Sequence, residues 1–170
     1  MSVHFAVAAF AVADPQGWPG LPAGVRLPDL AGVLDFDPGD RRHGDTGEPA
    51  TGRTWVAAES TVYAGGLRLW LDGDEVVALE GIHPQNPAGG FRPAPDLGTP
   101  EATYEAVLGP LYLPDGELVY AARGLAVRRN PANGLLLGLV GFVPTDVEDY
   151  RARIRPVPEP TRPLATARRP

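Results

Sequence analysis

The fold is read from Gly66-Leu67-Arg68-Leu69-Trp70-Leu71-Asp72-Gly73-Asp74-Glu75-Val76-Val77-Ala78-Leu79-Glu80-Gly81-Ile82. Leu67, Leu69 and Leu71 alternate with Arg68 and Trp70, the period of two that a half-buried strand requires. Asp72-Gly73 tolerates the positive φ of a tight hairpin turn, and Val76 to Ile82 returns as the second strand. If the three leucines face a core, Arg68 and Trp70 face away from it. An exposed Trp beside Arg is a protein-contact anchor. The plainer alternative is a Trp covered by the rest of the chain.

Laying the two halves of the chain together suggests an internal repeat. Val62-Tyr63-Ala64-Gly65-Gly66-Leu67-Arg68-Leu69 matches Val119-Tyr120-Ala121-Ala122-Arg123-Gly124-Leu125-Ala126-Val127. Downstream, Leu79-Glu80-Gly81-Ile82-His83-Pro84 matches Leu139-Val140-Gly141-Phe142-Val143-Pro144. Upstream, Pro28-Asp29…Val33-Leu34 is laid against Pro100-Glu101…Val107-Leu108. A module this small cannot cover its own sheet face, so two in tandem share one sheet or stack two.

Working outward, short helices are expected at Pro28–Leu34, Pro100–Leu108 and Asp146–Arg155. The second opens with Thr99-Pro100-Glu101, a hydroxyl cap followed by proline and an acid. The third opens with the capping box Thr145-Asp146-Val147-Glu148. Strands are expected at 53–64, 111–113, 117–122, 125–129 and 135–143. Residues 35–53, polar and without apolar periodicity, read as a long exposed loop. The apolar stretch Val3 to Ala13 has the length of a signal peptide but no preceding Lys or Arg, and alternation of Val3, Phe5 and Val7 favours a buried strand. The fold class is therefore α+β: two tandem helix–β–β–β modules, mainly antiparallel sheet, over residues 1–90 and 91–155. Residues 156–170, rich in Pro and Arg, read as a disordered tail.

Composition narrows the chemistry. The 170 residues contain no Cys, and all 15 basic residues are Arg. That removes thiolate, Schiff-base and cysteine-ligated zinc chemistry, and disulfides with them. No apolar run reaches the roughly 18 residues of a membrane span. Acids dominate residues 1–150, whereas six Arg stand beside the single acid Glu159 in the last twenty residues. An acidic body with net charge −6 disfavours nucleic acid and favours basic partners or plain solubility. The expected compartment is the cytoplasm.

Candidate site residues fall in two clusters. Asp35, Asp37, Asp40 and Asp45 lie with His43 in the densest polar stretch. Their spacing fails the calcium-loop pattern and Arg41 and Arg42 oppose a cation, so a flexible loop or a recognition loop is expected and no metal. Asp72, Asp74 and Glu75 surround the first hairpin with Arg68 and Trp70, and aspartate is also what turn chemistry places there. Glu80 and His83 form a weaker candidate pair. Ser2 and Ser60 lie in no nucleophile motif, and Gly65-Gly66 and Gly89-Gly90 open no helix, so no catalytic residue and no cofactor is assigned.

Leu97-Gly98-Thr99-Pro100-Glu101-Ala102…Val107-Leu108-Gly109-Pro110, followed by a Tyr-containing strand, Gly-Leu and a hairpin, resembles the repeat of β-lactamase-inhibitor-like domains and outer-membrane assembly lipoproteins. It is also similar to small α+β bacterial immunity proteins. The chain lacks the disulfides of the first and the lipidated cysteine of the second. The resemblance implies a binding scaffold and carries over no contact residues. The expected function is a small acidic non-enzymatic binding protein, an inhibitor or immunity protein that occludes a basic enzyme or toxin surface. The alternatives are a small cyclase- or isomerase-type enzyme, with an apolar pocket between sheets and Glu80 or Tyr120 as acid or base, and a structural module.

Overall fold

Eight strands pair antiparallel in a single sheet, in the order β1-β2-β3-β4-β8-β7-β6-β5. They are β1 (Asp35–His43), β2 (Thr54–Glu59), β3 (Gly66–Asp72), β4 (Glu75–Ile82), β5 (Ala102–Leu108), β6 (Leu113–Tyr120), β7 (Leu125–Arg129) and β8 (Leu136–Phe142). This computed structural model describes residues 16–32, 34–43, 54–59, 66–82, 93–108 and 113–155. Two four-stranded meanders, β1 to β4 and β5 to β8, thus meet along the β4–β8 seam.

The seam relates the halves by a pseudo-two-fold axis. Leu79 lies opposite Gly141 and Gly81 opposite Leu139, while Glu80 faces Val140. Those are the residues that the repeat aligns, so the axis passes through the Glu80–Val140 pair. The equivalence runs outward from there. Leu69 faces Leu79 in one half, and Val127 faces Leu139 in the other. A β-bulge falls between Trp70 and Leu71, and its twin falls between Arg128 and Arg129. The segments that precede the two meanders also correspond. Arg26 bridges to Glu75 and Pro93 to Leu135, with the Leu27 amide donating to Asp74 O (2.8 Å) and the Ala94 amide to Gly134 O (2.9 Å). Pro28-Asp29-Leu30 therefore matches Pro95-Asp96-Leu97, and the upstream alignment to Pro100-Glu101 is corrected.

An apolar sheet face needs cover, and here both faces are apolar. Val56, Leu67, Leu69, Leu71, Leu79, Leu125, Val127 and Leu139 form the first face. Trp18, Leu21, Val25, Leu27, Leu30 and Leu34 from the preceding segment lie over it. That segment is pinned along the strand ends, by Trp18 Nε1 to Gly124 O (2.8 Å), Leu21 N to Phe142 O (2.9 Å) and Val76 N to Val25 O (2.8 Å). The second face carries Trp55, Trp70, Ala78, Val119, Ala126, Val140 and Phe142 and is covered by Tyr150 and Ile154.

The α+β expectation is overturned: the protein is mainly an antiparallel sheet. The Pro100–Leu108 helix is instead β5. Thr99-Pro100 carries a cap signal, but β-branched and aromatic residues at Thr103, Tyr104 and Val107 suit a strand once β6 offers its ladder. Pro28–Leu34 yields only a 3₁₀ turn, Leu27–Leu30, with Pro28 inside it. The third helix exists as Val147–Asp149 continued by a π-helical turn, Tyr150–Ile154. Pro114-Asp115-Gly116, read as a turn between strands, lies within β6. Residues 35–43, read as loop, form the edge strand β1, whose alternation is hidden by a bulge between Phe36 and Arg41. The expected N-terminal strand and the tail 156–170 lie outside the described residues, as does Tyr63. Among the described residues no helix is long and apolar enough to cross a membrane.

Gly124 ends the 3₁₀ turn Ala121–Arg123 in a left-handed conformation, φ +67°, and a Cβ there would sit 2.1 Å from Phe142 O. Gly134 has φ +72° but open space around it. Gly134→Ala should therefore cost about 1 kcal/mol in urea unfolding, the conformational penalty alone. Gly124→Ala should cost more than about 3 kcal/mol, because backbone must also move.

Candidate functional site

The second face holds a row of buried ions that hydrophobic patterning alone does not require. Glu80, Glu117 and Arg128 are buried. Arg128 donates through NH1 to Glu80 Oε1 at 2.8 Å, and its Nε lies 3.5 Å from Glu117 Oε2. Arg155, delivered by the C-terminal helical segment, places Nε 3.5 Å from Glu117 Oε1. Trp70 Nε1 donates to Glu80 Oε2 at 2.7 Å. Trp70 and Arg128 are twins under the pseudo-two-fold, each preceding its bulge. Glu80, on the axis, thus accepts from both twins, one on each carboxylate oxygen.

Two acids and two arginines balance in charge, and burial leaves each little alternative to its partner. Tyr150, fully buried beside them, stacks on Phe142 with centroids 4.7 Å apart. Desolvation, with Glu117 nearby, pushes its hydroxyl well above the usual tyrosine range. Farther out on this face, Arg42 and Arg68 stack on Trp55 at 4.9 and 4.8 Å, and Arg151 and Arg155 on Tyr104 at 4.2 and 5.5 Å. Among the described residues no group of three or more His, Asp or Glu is placed to hold a metal ion.

The residues proposed from sequence are dispersed differently. Arg68 and Trp70 do face away from the leucines, but onto a second core. Trp70 is 2% exposed and cannot serve as a contact anchor. Asp35, Asp37 and Asp40 are exposed on edge strand β1. There Asp37 accepts from the Gly39 amide (2.8 Å) and Asp40 pairs with Arg42 (3.0 Å). Asp45 and His83 lie outside the described residues. Glu80 is engaged by Trp70 and Arg128.

Asp72, Asp74 and Glu75 do come together, at the exposed tip of the β3–β4 hairpin. Arg41 crosses from β1 to donate to Asp74 Oδ1 (2.7 Å) and Gly73 O (3.2 Å), and Arg26 approaches Asp74 Oδ2 at 3.5 Å. Their hydrogen bonds and charges, Arg41's foremost, hold the Asp74 carboxyl below its ordinary range. The tip is thereby tied to β1 through Arg41, whereas Asp35, paired with Glu59, lies toward the opposite end of the strands.

Sequence reasoning missed Glu117, Arg128 and Arg155. The available signal was Arg128 itself, standing where the period of two in Leu125–Arg129 demands an inward residue on the second face. Comparison with protein-family models, curated proteins and solved structures finds no significant match.

Two stability tests follow from this geometry. Arg128→Met should destabilise by about 3–5 kcal/mol in chemical denaturation, since Glu80 and Glu117 lose a buried partner. Asp149 is held at about 2, below 3.8, by hydrogen bonds from Arg153 and Thr145. A depressed carboxyl contributes stability that is complete above its unfolded pKa and is lost as pH falls through the folded one. Melting temperature should therefore drop between about pH 4 and pH 2, and Asp149→Asn should flatten that limb.

Proposed function

We propose that the protein is a non-catalytic binding protein whose acidic hairpin tip, Asp72 and Glu75, contacts a basic surface of a protein partner, as an inhibitor or immunity protein would. The observation that carries this reading is internal. The β7–β8 hairpin is the twin of the β3–β4 hairpin, and Gly134 and Leu135 stand where Asp74 and Glu75 stand. That twin, with a longer turn, carries no acid where Asp74 and Glu75 stand, so the bridge to the preceding segment does not require acids there. Complementary charge of this sort raises association rate and selects partners.

The enzyme alternative finds less support. Its pocket between sheets has no counterpart in a single sheet. Its two candidate groups are also committed, Glu80 to Trp70 and Arg128, and Tyr120 through its hydroxyl to Gly98 O at 3.1 Å.

The test compares wild type with Asp72→Asn/Glu75→Gln, both exposed positions, as bait in a lysate of the native host. Wild type should hold a basic protein at about 50 mM salt and release it by about 500 mM, and the variant should not hold it. The association rate of the purified pair should fall at least tenfold over that range. A partner held equally by both baits, or a rate indifferent to salt, overturns the reading.

A further inference from the structure

The two outermost strands are twins, yet they end the sheet in opposite ways. Arg42 faces Trp55 as Tyr104 faces Glu117, so β1 and β5 occupy equivalent places. β1 is blunted as edge strands usually are: its register breaks between Phe36 and Arg41, the interruption holds Pro38, and Asp35, Asp37, Asp40, Arg41 and Arg42 crowd it. β5 has none of these defences. Its seven residues pair with β6 without a break from Ala102–Val119 to Leu108–Leu113, it contains no proline, and its one charge is Glu105. Among the described residues no strand pairs with its outer side.

A regular, undefended edge is a template for another strand. We propose that the occupant is β5 of a second copy of this chain, paired antiparallel about a two-fold at Tyr104, so that two sheets become one. The choice of occupant rests on self-complementarity. With Tyr104 opposite its own copy, each exposed Thr103 faces Glu105 of the other chain and Glu101 faces Val107. A two-fold at Thr103 would set Glu105 against Glu101, and one at Glu105 would set that acid against itself; both are unfavourable. Of these three registers the one at Tyr104 avoids opposed acids, and it adds a cross-strand aromatic pair on the second face. Arg151 already lies over each Tyr104 ring at 4.2 Å. The acidic tip belongs to the other meander, so this pairing stands or falls apart from the function proposed above, and the dimer would display two such tips.

The full chain should show a concentration-dependent monomer–dimer equilibrium in sedimentation. Thr103 is exposed, so charges placed there leave the monomer intact. Thr103→Glu should weaken the dimer about 2- to 30-fold through two opposed acid pairs, and Thr103→Lys should tighten it similarly at low salt. Outward-pointing amides of β5 should gain exchange protection only as the dimer forms. A chain monomeric up to about 500 μM, well above where the weakest specific pairs form, overturns the proposal. So does a dimer equally stable in both variants, or protection of β5 already complete in the monomer, which would mean that the edge is covered from within the chain.

Discussion

One carboxylate ties the two halves together. Glu80 sits on the pseudo-two-fold axis, and the residues that reach it, Trp70 and Arg128, are each other's counterparts. An aromatic N–H from the first meander and a guanidinium from the second thus close on one acid at the seam. Both need partners, because an indole N–H and above all an arginine cannot be left unpaired inside a protein. Arg128 holds Glu117, Glu117 holds Arg155, and Arg155 anchors the C-terminal segment that covers the second face. Such buried pairs are weak contributors to net stability but costly to break, which suits a role in fixing which strands meet.

The equivalence of the halves separates what the fold requires from what it merely carries. The first face is largely alike on both sides of the axis, Leu67 with Leu125, Leu69 with Val127, Leu79 with Leu139, with Leu71 against Arg129 the exception beyond the bulges. The differences gather on the second face and at the hairpin tips. There Trp70 answers Arg128, Trp55 answers Glu117, and Asp74-Glu75 answers Gly134-Leu135.

Much of this frame was legible in the sequence wherever a period of two ran undisturbed. The Leu67–Leu71 alternation, the Asp72-Gly73 turn and the matches of Leu79 to Leu139 and of Gly66-Leu67 to Gly124-Leu125 all correspond to strands in equivalent places. The failures have physical causes. A bulge around Asp37-Pro38-Gly39-Asp40 masks the alternation of β1. In β5, a capping pattern at Thr99-Pro100-Glu101 outweighed strand-forming residues whose partner strand local reasoning cannot see. Trp70 was placed on the correct side, yet alternation says nothing about whether that side is covered. The acidic hairpin tip was found because turn residues mark themselves. The Glu80–Arg128–Glu117 row joins strands far apart in sequence, and no local pattern announces it.

The strand order has a bearing on how the molecule comes into being. Within each meander every strand pairs with its chain neighbour, so the first four can zip together as they emerge from a ribosome. β4, however, finds its second partner only in β8, the last of the described strands in chain order. Until then β4 has an open hydrogen-bonding flank, with Glu80 met only by Trp70 of its own meander. The closing contact of the sheet is thus also its longest in sequence, and Arg128 on Glu80 is made only when the second meander has joined the first.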